Sequence, residues 1–297
     1  MRVLIAGASG YLGTSLCRQL AAQGHQVQRL VRRVSAGPDE VSWDPYRGEL
    51  PVEAVVGIDA AVCLNGVPIA HWPWTSAYRQ LLVSSRVEPA RALAKAVARA
   101  PEPRPALVCA SAVGYYGDRG DTVLRENAAP GNGFLADLTR QWEGATEAAQ
   151  AAGCRVVSTR TGVVLGPGGG ALAAMLIPFR CGLGARLGSG RQYFPTVSLH
   201  DYLAATTWTL TDSSLAGAVN VTGPVPATNA DFTREMSRLL HRRAAFSIPS
   251  SLLRTVLGSD LAGQFVGSVR VVPQRLTDAG FAFAHPDVRG QLAAALR

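Results

Sequence analysis

The first thirty residues combine two short apolar runs with one amphipathic segment. Val3 to Ala6 is a continuous apolar run that predicts a buried strand, and a cluster of glycines follows it directly. Leu12, Leu16 and Leu20 then recur at helical spacing, and Gly24 marks the end of that helix. A second apolar run covers 27–31. The pattern predicts a strand, a glycine turn, a helix and a second strand, which together form a βαβ unit.

The same alternation continues to about residue 165. Further strands are predicted at 41–45, 59–66, 106–112 and 155–164, and helices at 74–100 and 133–152. Pro89 predicts an interruption or a fresh start within the first of these helices. Strands that alternate with helices predict an α/β fold, here a Rossmann-type, doubly wound parallel sheet. We assign residues 1–165 to this nucleotide-binding domain.

The remaining residues, 166–297, differ from the first part of the chain in their pattern of predicted elements. A glycine-rich stretch at 182–190 is followed by predicted strands at 194–199, 217–222 and 245–248. Helices are predicted from Asn229, as the N-cap, to His241, at 250–257 and at 285–295. We expect a small C-terminal substrate-side lobe, interleaved with segments that return to the first domain.

The glycine turn carries the first chemical prediction. Three glycines spaced G-x-x-G-x-x-G, between a strand and a helix, let the backbone approach a diphosphate that the helix N-terminus attracts. The predicted contacts are Gly7, Ser9, Gly10, Tyr11, Leu12 and Gly13. A purely structural glycine turn is the alternative interpretation.

The residues that follow the second strand indicate which dinucleotide is bound. An NAD site needs an acidic residue here for the ribose 2′-hydroxyl. The chain instead has Arg32 and Arg33, with no carboxylate before Asp39. Because arginine suits a 2′-phosphate, NADP(H) is the predicted cofactor. The alternative is an ordinary solvated pair of arginines.

Other candidate residues lie where later strands end, since the ligand crevice of a parallel sheet faces the carboxyl ends of its strands. Predicted cofactor contacts there are Leu64, Asn65, Gly66, Ala110, Ser111 and Arg160. Tyr115, Tyr116 and Ser111 are candidate catalytic residues, and a packed aromatic is the alternative for Tyr116. Arg160 and Arg191 are also candidates to hold an anionic substrate.

Composition narrows the class of protein. The 297 residues are 47% hydrophobic and 17% charged, which favours a well-filled core. The formal net charge is +8, but no basic run with interleaved aromatics occurs, so nucleic acid is not an expected partner. No signal peptide or bilayer-spanning stretch is predicted, and a soluble, cytoplasmic protein is expected. The five cysteines are scattered, no His/Cys cluster has ligand spacing, and no metal is expected.

The motifs resemble those of extended short-chain dehydrogenases/reductases, for which G-x-x-G-x-x-G is the typical turn. More narrowly, the chain resembles the "epimerase family protein" branch. The similar segments are 110–117, 130–132, 162–170, 188–192 and 270–276. This resemblance implies a Rossmann-type domain, bound NADP(H) and a C-terminal substrate lobe. Members of that superfamily commonly form homodimers through helices beside the sheet, so a homodimer is one alternative for this chain.

The resemblance also exposes a missing catalytic pair. Active relatives use a Tyr as the general acid/base and a Lys four residues later, with a Ser or Thr that holds the substrate oxygen. The only lysine is Lys95, four residues after Arg91, and Phe134 or Leu135 stands where the tyrosine would fall. The serine position falls on Ala112, with Ser111 one residue earlier and on the opposite face of the strand.

Further departures from this branch lie elsewhere. Cys63 and Asn65 replace the residues usual at the end of the fourth strand. Ser198, Leu199, His200 and Asp201 stand where a His and an acidic pair are usual.

Two hypotheses follow. The first is an NADP(H)-dependent oxidoreductase or epimerase that acts on a small, oxygenated substrate and uses a non-standard acid. The second is a catalytically weak or silent NADP(H)-binding sensor, because the Tyr-x-x-x-Lys pair is absent.

Overall fold

The computed structural model describes residues 1–297. Its thirteen strands, in chain order, are β1 Arg2–Ala6, β2 Gln26–Val31, β3 Glu40–Ser42, β4 Ala60–Cys63, β5 Ala106–Ala112, β6 Val123–Leu124, β7 Val156–Thr161, β8 Val163–Leu165, β9 Ala185–Leu187, β10 Thr196–Ser198, β11 Gly217–Val221, β12 Phe246–Ile248 and β13 Arg270–Val271.

Eleven α-helices connect these strands. They are α1 Tyr11–Ala22, α2 Ser76–Arg99, α3 Phe134–Gly144, α4 Glu147–Ala151, α5 Gly170–Arg180, α6 Leu199–Thr211, α7 Asn229–Leu239, α8 Ser250–Leu257, α9 Ser259–Val266, α10 Gln274–Asp278 and α11 Val288–Ala295. None of them combines the length and the apolar character that crossing a membrane requires.

Seven strands form the central sheet, in the order β11-β7-β5-β4-β1-β2-β3, and every pair is parallel. The predicted α/β fold with a doubly wound parallel sheet is confirmed. The chain runs outward from β1 to β2 and β3 and then returns to place β4 on the other side of β1. This reversal opens a crevice at the carboxyl ends of β1 and β4, where ligands bind in such sheets.

Alternate residues of each central strand face opposite sides of the sheet. Leu4 and Ala6 lie in a core beneath α2, α3 and α4, whereas Val3 and Ile5 lie in a second core beneath α1, α6 and α10. All four side chains are 0% exposed. Burial on both faces explains why the strands are continuous apolar runs in the sequence.

A third, smaller core lies in the C-terminal part of the chain. Residues of α5, α7 and α11 pack there with the end of β8, and Leu172, Met236 and Leu292 are fully buried in it. Outside the central sheet, the chain forms three two-stranded sheets, β8 with β10, β9 with β12 and β6 with β13. β11 pairs with β7 at the edge of the central sheet. The division at residue 165 stays a prediction.

Several local predictions need correction. Pro89 lies inside α2 without ending it, because the helix buries Leu82, Val87 and Leu93 against the sheet on both sides of the proline. The predicted strand at 155–164 is divided into β7 and β8 by Gly162, where a Cβ would lie 2.7 Å from the Pro195 carbonyl oxygen.

The predicted helices at 133–152 and 285–295 also differ in their bounds. The first is divided into α3 and α4, and the second begins only at Val288, after Asp287 as its N-cap.

Thr228, rather than the predicted Asn229, is the N-cap of α7. Its hydroxyl accepts a hydrogen bond from the Asp231 backbone N–H at 3.2 Å, and the Asp231 carboxylate accepts one from the Thr228 N–H at 3.0 Å. This reciprocal capping box satisfies two N–H groups that would otherwise lack acceptors.

We expect Thr228→Ala to lower the free energy of unfolding by about 1 kcal/mol, because it removes the side-chain acceptor of this cap. Urea unfolding followed by circular dichroism measures the effect. Thr228→Ser keeps the hydroxyl and should stay close to the wild-type value. Equal stability of the alanine and serine variants would contradict the assignment of the cap.

Candidate functional site

The glycine turn after β1 lies directly against the backbone that follows β4. Gly7 has a φ of +82°, and a Cβ there would come within 2.8 Å of the Leu64 carbonyl carbon and 3.0 Å of the Asn65 nitrogen. Conformation and space therefore both demand glycine. The contact brings together two segments that the sequence analysis had singled out separately.

The start of α1 is equally close to this turn. A Cβ at Gly13 would lie 2.1 Å from the Gly7 carbonyl oxygen, so only glycine allows the helix to begin here. No side chain caps α1, and its first turn carries no acidic residue. The backbone N–H groups of Tyr11, Leu12 and Gly13 have no acceptor within the protein. The turn thus presents unpaired donors at the positive end of a helix dipole.

Tyr11 is covered by the glycine-rich segment 166–170. Its hydroxyl donates a hydrogen bond to the Pro167 carbonyl oxygen at 3.0 Å. A Cβ at Gly166 would lie 2.4 Å from that hydroxyl, and one at Gly169 would lie 2.6 Å from the tyrosine ring. These glycines let the segment lie flat on Tyr11, beside the exposed residues Ser9 and Gly10.

The two arginines after β2 differ in their surroundings. Arg33 makes two hydrogen bonds of 2.7 Å to the Glu40 carboxylate, whose side chain is 3% exposed. The hydrogen bond from Arg33 lowers the pKa of Glu40 to about 2. Arg32 is exposed and its guanidinium makes no hydrogen bond or ion pair. Only Arg32 is free to meet an anion without breaking an existing pair.

Arg86 is a residue that the sequence analysis missed. It is 6% exposed, its guanidinium has no carboxylate partner, and its Nε lacks any hydrogen-bond acceptor. Two of its nitrogens donate to the carbonyl oxygens of Leu82 and Val67, at 3.0 and 2.9 Å. Burial lowers the pKa of this group to about 10. A buried arginine without a counter-charge is costly; here two carbonyl oxygens and the Trp142 ring, 5.4 Å from the Arg86 Cζ, face the guanidinium.

The position of Arg86 explains the glycine that follows Asn65. A Cβ at Gly66 would lie 3.0 Å from the Arg86 Cζ, so the guanidinium lies immediately behind the exposed backbone of Gly66. Its positive charge is therefore close to the Leu64–Asn65 backbone that borders the glycine turn. The signal in the sequence is a single arginine on the apolar face of a predicted helix.

A second arginine, Arg160, is fully compensated. Its guanidinium makes two hydrogen bonds of 2.8 Å to the carboxylate of Glu143, which also accepts a hydrogen bond of 2.6 Å from the Ser111 hydroxyl. Burial alone would lower the pKa of Arg160, but Glu143 raises it above its usual value. Arg160 and Ser111, at 4% and 5% exposure, are thus held in the interior by a glutamate that the sequence analysis had not selected.

The two neighbouring tyrosines have different roles in this structure. Tyr116 is fully buried, and its hydroxyl donates to the Asn220 side-chain oxygen at 2.7 Å and accepts from Arg160 at 3.1 Å. Burial is the main cause of its raised pKa. Tyr115 is half-buried, its hydroxyl has no partner within the protein, and its ring stacks on the Arg160 guanidinium at 3.4 Å. The alternative interpretation of Tyr116, a packed aromatic, fits these contacts.

One face of α3 carries the residues that stand at the spacing of the missing Tyr/Lys pair. A Cβ at Gly114 would lie 3.5 Å from the Leu135 Cβ and 3.8 Å from the Thr139 hydroxyl. Leu135, Thr139 and Glu143 follow one another at four-residue spacing and so share a face of the helix. Leu135 and Thr139 thus have the spacing of the Tyr-x-x-x-Lys pair but cannot perform its chemistry. Lys95 lies elsewhere, in a surface cavity of about 230 Å³ between α2 and 45–50.

Two family models and several known proteins are similar to this chain. The model of the NAD dependent epimerase/dehydratase family matches residues 3–222, and that of a domain of unknown function, DUF1731, matches residues 248–295. An epimerase family protein of Mycobacterium bovis is 45% identical, over 95% of this chain and 93% of its own length.

Two solved structures are similar over the whole chain. The crystal structure of the human epimerase family protein SDR39U1 with NADPH has a TM-score of 0.90 at 34% identity, and 99% of each chain is covered. A Corynebacterium glutamicum protein described as a nucleoside-diphosphate sugar epimerase has a TM-score of 0.82 at 30% identity, over 100% of this chain and 58% of its own.

We expect Glu143→Gln to lower the free energy of unfolding by about 3 kcal/mol, because it leaves the Arg160 charge buried without a partner. Urea unfolding measures the loss. The double variant Glu143→Gln/Arg160→Met removes both charges and should recover part of the stability. Glu88→Gln, which breaks the exposed pair with Arg91, should cost less than about 1 kcal/mol. A loss at Glu143 no larger than at Glu88 would show that the buried pair is unimportant.

Proposed function

The chain belongs to the NAD dependent epimerase/dehydratase family, and we propose that it binds NADP(H) in the crevice between β1 and β4 and acts there on a small, oxygenated substrate. The observation that carries the proposal is the uncapped glycine turn. Three backbone donors without acceptors stand at the start of α1, where a side chain at Gly7 or Gly13 would collide with the backbone.

These residues fit a dinucleotide diphosphate. The N–H groups of Tyr11, Leu12 and Gly13 would hold the phosphate oxygens, since unpaired donors at a helix N-terminus favour an anion. Leu64, Asn65 and Gly66 would border the nucleotide on the β4 side. Arg86, behind Gly66, would supply a positive charge that no carboxylate of the protein neutralises. Ser9 and Ala110 remain proposed contacts.

The choice of NADP(H) over NAD(H) rests on Arg32. Its unpaired guanidinium would bind the 2′-phosphate through charge-assisted hydrogen bonds, whereas Arg33 is held by Glu40. Arg33 would then orient the end of β2. The NADPH in the structure of the human relative supports the same cofactor here.

For the chemistry, bound NADP(H) would supply a hydride donor or acceptor. Tyr115 is the proposed proton donor, because its hydroxyl is free while that of Tyr116 is engaged with Asn220 and Arg160. The Glu143–Arg160 pair would fix the plane of the Tyr115 ring from beneath, through the stacking contact. Ser111, bonded to Glu143, would help to hold that pair rather than contact the substrate.

The nature of the substrate is a broader proposal. The relative described as a nucleoside-diphosphate sugar epimerase supports a small, anionic, oxygenated molecule. In the C-terminal part of this chain, Arg191 is exposed and its guanidinium makes no ion pair, so it is available to such a substrate.

The side chains on the α3 face that carries Leu135 and Thr139 favour a second function. Leu135 and Thr139 cannot transfer a proton as a Tyr/Lys pair does. The alternative proposal is that the protein binds NADP(H) tightly as a sensor and turns over little. Tight NADPH binding with no oxidation across a broad panel of carbonyl compounds would support the sensor.

We expect Arg32→Ala to raise the Kd for NADPH by at least tenfold, while the Kd for NADH changes by less than about twofold, because only the 2′-phosphate contact is lost. Fluorescence titration of the purified protein measures both constants. Arg33→Ala is the matched control and should have a smaller effect. Arg86→Met should weaken both dinucleotides alike. Equal losses of affinity for NADPH and NADH in Arg32→Ala would contradict the assignment of Arg32 to the 2′-phosphate. If the wild type bound neither dinucleotide, the proposed function itself would be wrong.

We expect Tyr115→Phe to lower turnover by roughly a hundredfold, with NADPH affinity unchanged, because it removes the proposed proton donor and keeps the ring on Arg160. The assay follows NADPH absorbance with carbonyl compounds that the wild type reduces. Wild-type turnover in Tyr115→Phe would exclude this tyrosine as the acid.

A further inference from the structure

Two histidines and an aspartate converge at the start of α6. His200 and Asp201 lie in the first turn of α6, and His285 lies in the segment that precedes α11. One ligand atom from each side chain lies within 4.8 Å of the other two. The spacing of histidines and cysteines along the chain predicts no metal, and His200 and His285 are far apart in sequence.

Asp201 is the centre of this cluster. Its side chain is 1% exposed and has no lysine or arginine partner. The carboxylate accepts hydrogen bonds from the backbone N–H groups of Ala284, at 2.8 Å, and His285, at 2.9 Å. Each oxygen keeps a further lone pair. Carboxylates that bind metals are commonly held in this way by hydrogen bonds from behind.

Both imidazoles turn a nitrogen toward that carboxylate. The His200 Nδ1 lies 3.3 Å from Oδ1, and the His285 Nδ1 lies 3.8 Å from Oδ2. The two rings are nearly perpendicular, at 86°, so they do not stack. Both separations are longer than good N–H···O hydrogen bonds, which span roughly 2.7–3.2 Å. The His200 Nδ1 therefore makes only a long hydrogen bond to the carboxylate, and the His285 Nδ1 pairs instead with the Ser198 hydroxyl at 3.0 Å.

The 3.3 Å between the His200 Nδ1 and the Asp201 Oδ1 suits two donor atoms that share a cation, whereas the His285 Nδ1 would have to move closer to Oδ2. In a tetrahedral zinc site with bonds of about 2.0–2.1 Å, neighbouring donors stand roughly 3.3–3.4 Å apart. The Ser198 hydroxyl oxygen lies 3.0 Å from the His285 Nδ1 and adds another oxygen at the same place. His200 is 64% exposed, which leaves a route from solvent and room for a water ligand.

We infer that His200, Asp201 and His285 form a binding site for a borderline divalent transition-metal ion, of which Zn²⁺ is the type. Two imidazoles with one carboxylate suit Zn²⁺, Co²⁺ or Ni²⁺, whereas Mg²⁺ and Ca²⁺ prefer oxygen donors alone. The positive end of α6 opposes a cation, and the buried negative charge of Asp201 offsets it. The site goes beyond the proposed function and does not depend on it.

Such an ion would join the start of α6 to the segment before α11. The polar contacts between them include the two backbone hydrogen bonds to Asp201 and the hydrogen bond between His285 and Ser198. An ion bound only by the folded chain shifts the unfolding equilibrium in its favour. The expected consequence is a higher unfolding temperature in the presence of Zn²⁺.

The test uses the untagged full chain after treatment with a chelator. Equilibrium dialysis against ZnCl₂ should give about one Zn²⁺ per chain, and thermal unfolding should shift upward with Zn²⁺ but not with Mg²⁺. His200→Ala changes an exposed side chain and should weaken Zn²⁺ binding at least tenfold. His285→Gln should do the same. His71→Ala, which removes an exposed histidine outside the cluster, should bind as the wild type does.

Co²⁺ provides a spectroscopic readout that a structural defect would not reproduce. Its absorption in the visible region should indicate imidazole and carboxylate ligands in the wild type and disappear in His200→Ala. No stoichiometric binding by the wild type would overturn the inference. Unchanged binding in the His200→Ala/His285→Gln double variant would also overturn it, because the ion would then belong to another group, such as the exposed Cys181.

Discussion

The candidate site depends on one close approach, that of the turn after β1 to the backbone after β4. Gly7 meets the Leu64 carbonyl carbon where a Cβ would lie 2.8 Å away, and Gly13 brings α1 onto the same turn. Because the strand order reverses between β1 and β4 while the two strands stay parallel, both segments end at one crevice. Any side chain at these glycines would separate the turn from its neighbour and close the space in which backbone donors point outward.

Around this crevice the arginines differ chiefly in whether a carboxylate neutralises them. Arg160 and Arg33 are each bound by two hydrogen bonds to a glutamate, so their charges stabilise the protein itself. Arg32 and Arg86 have no such partner. A guanidinium group without a carboxylate partner can still gain free energy by binding an anion. They lie beside the positions proposed for the 2′-phosphate and the diphosphate.

Whether a side chain already has a partner also decides which residue is free to transfer a proton. The interior side of the site is a closed network in which Ser111, Arg160 and Tyr116 all have partners. Tyr115 is left as the one candidate with a free hydroxyl, held by its ring on Arg160. On α3, where the Tyr/Lys pair is absent, Glu143 holds the arginine on which the Tyr115 ring stacks. Whether that support serves turnover or only a fixed binding surface is the difference between the two proposed functions.

The sequence by itself determined the fold class, the glycine turn and the family resemblance, because these depend on local spacing: apolar runs, glycines at three-residue intervals and motifs in a fixed order. It also showed that Lys95 could not belong to a Tyr-x-x-x-Lys pair. Only the tertiary structure distinguished Arg32 from Arg33, since Glu40 reaches one of them across the pairing of β2 with β3. Glu143, Arg86 and the His200–Asp201–His285 cluster were likewise missed. Their partners come from distant segments, and contacts of that kind are set by how helices pack on the sheet rather than by neighbours along the chain.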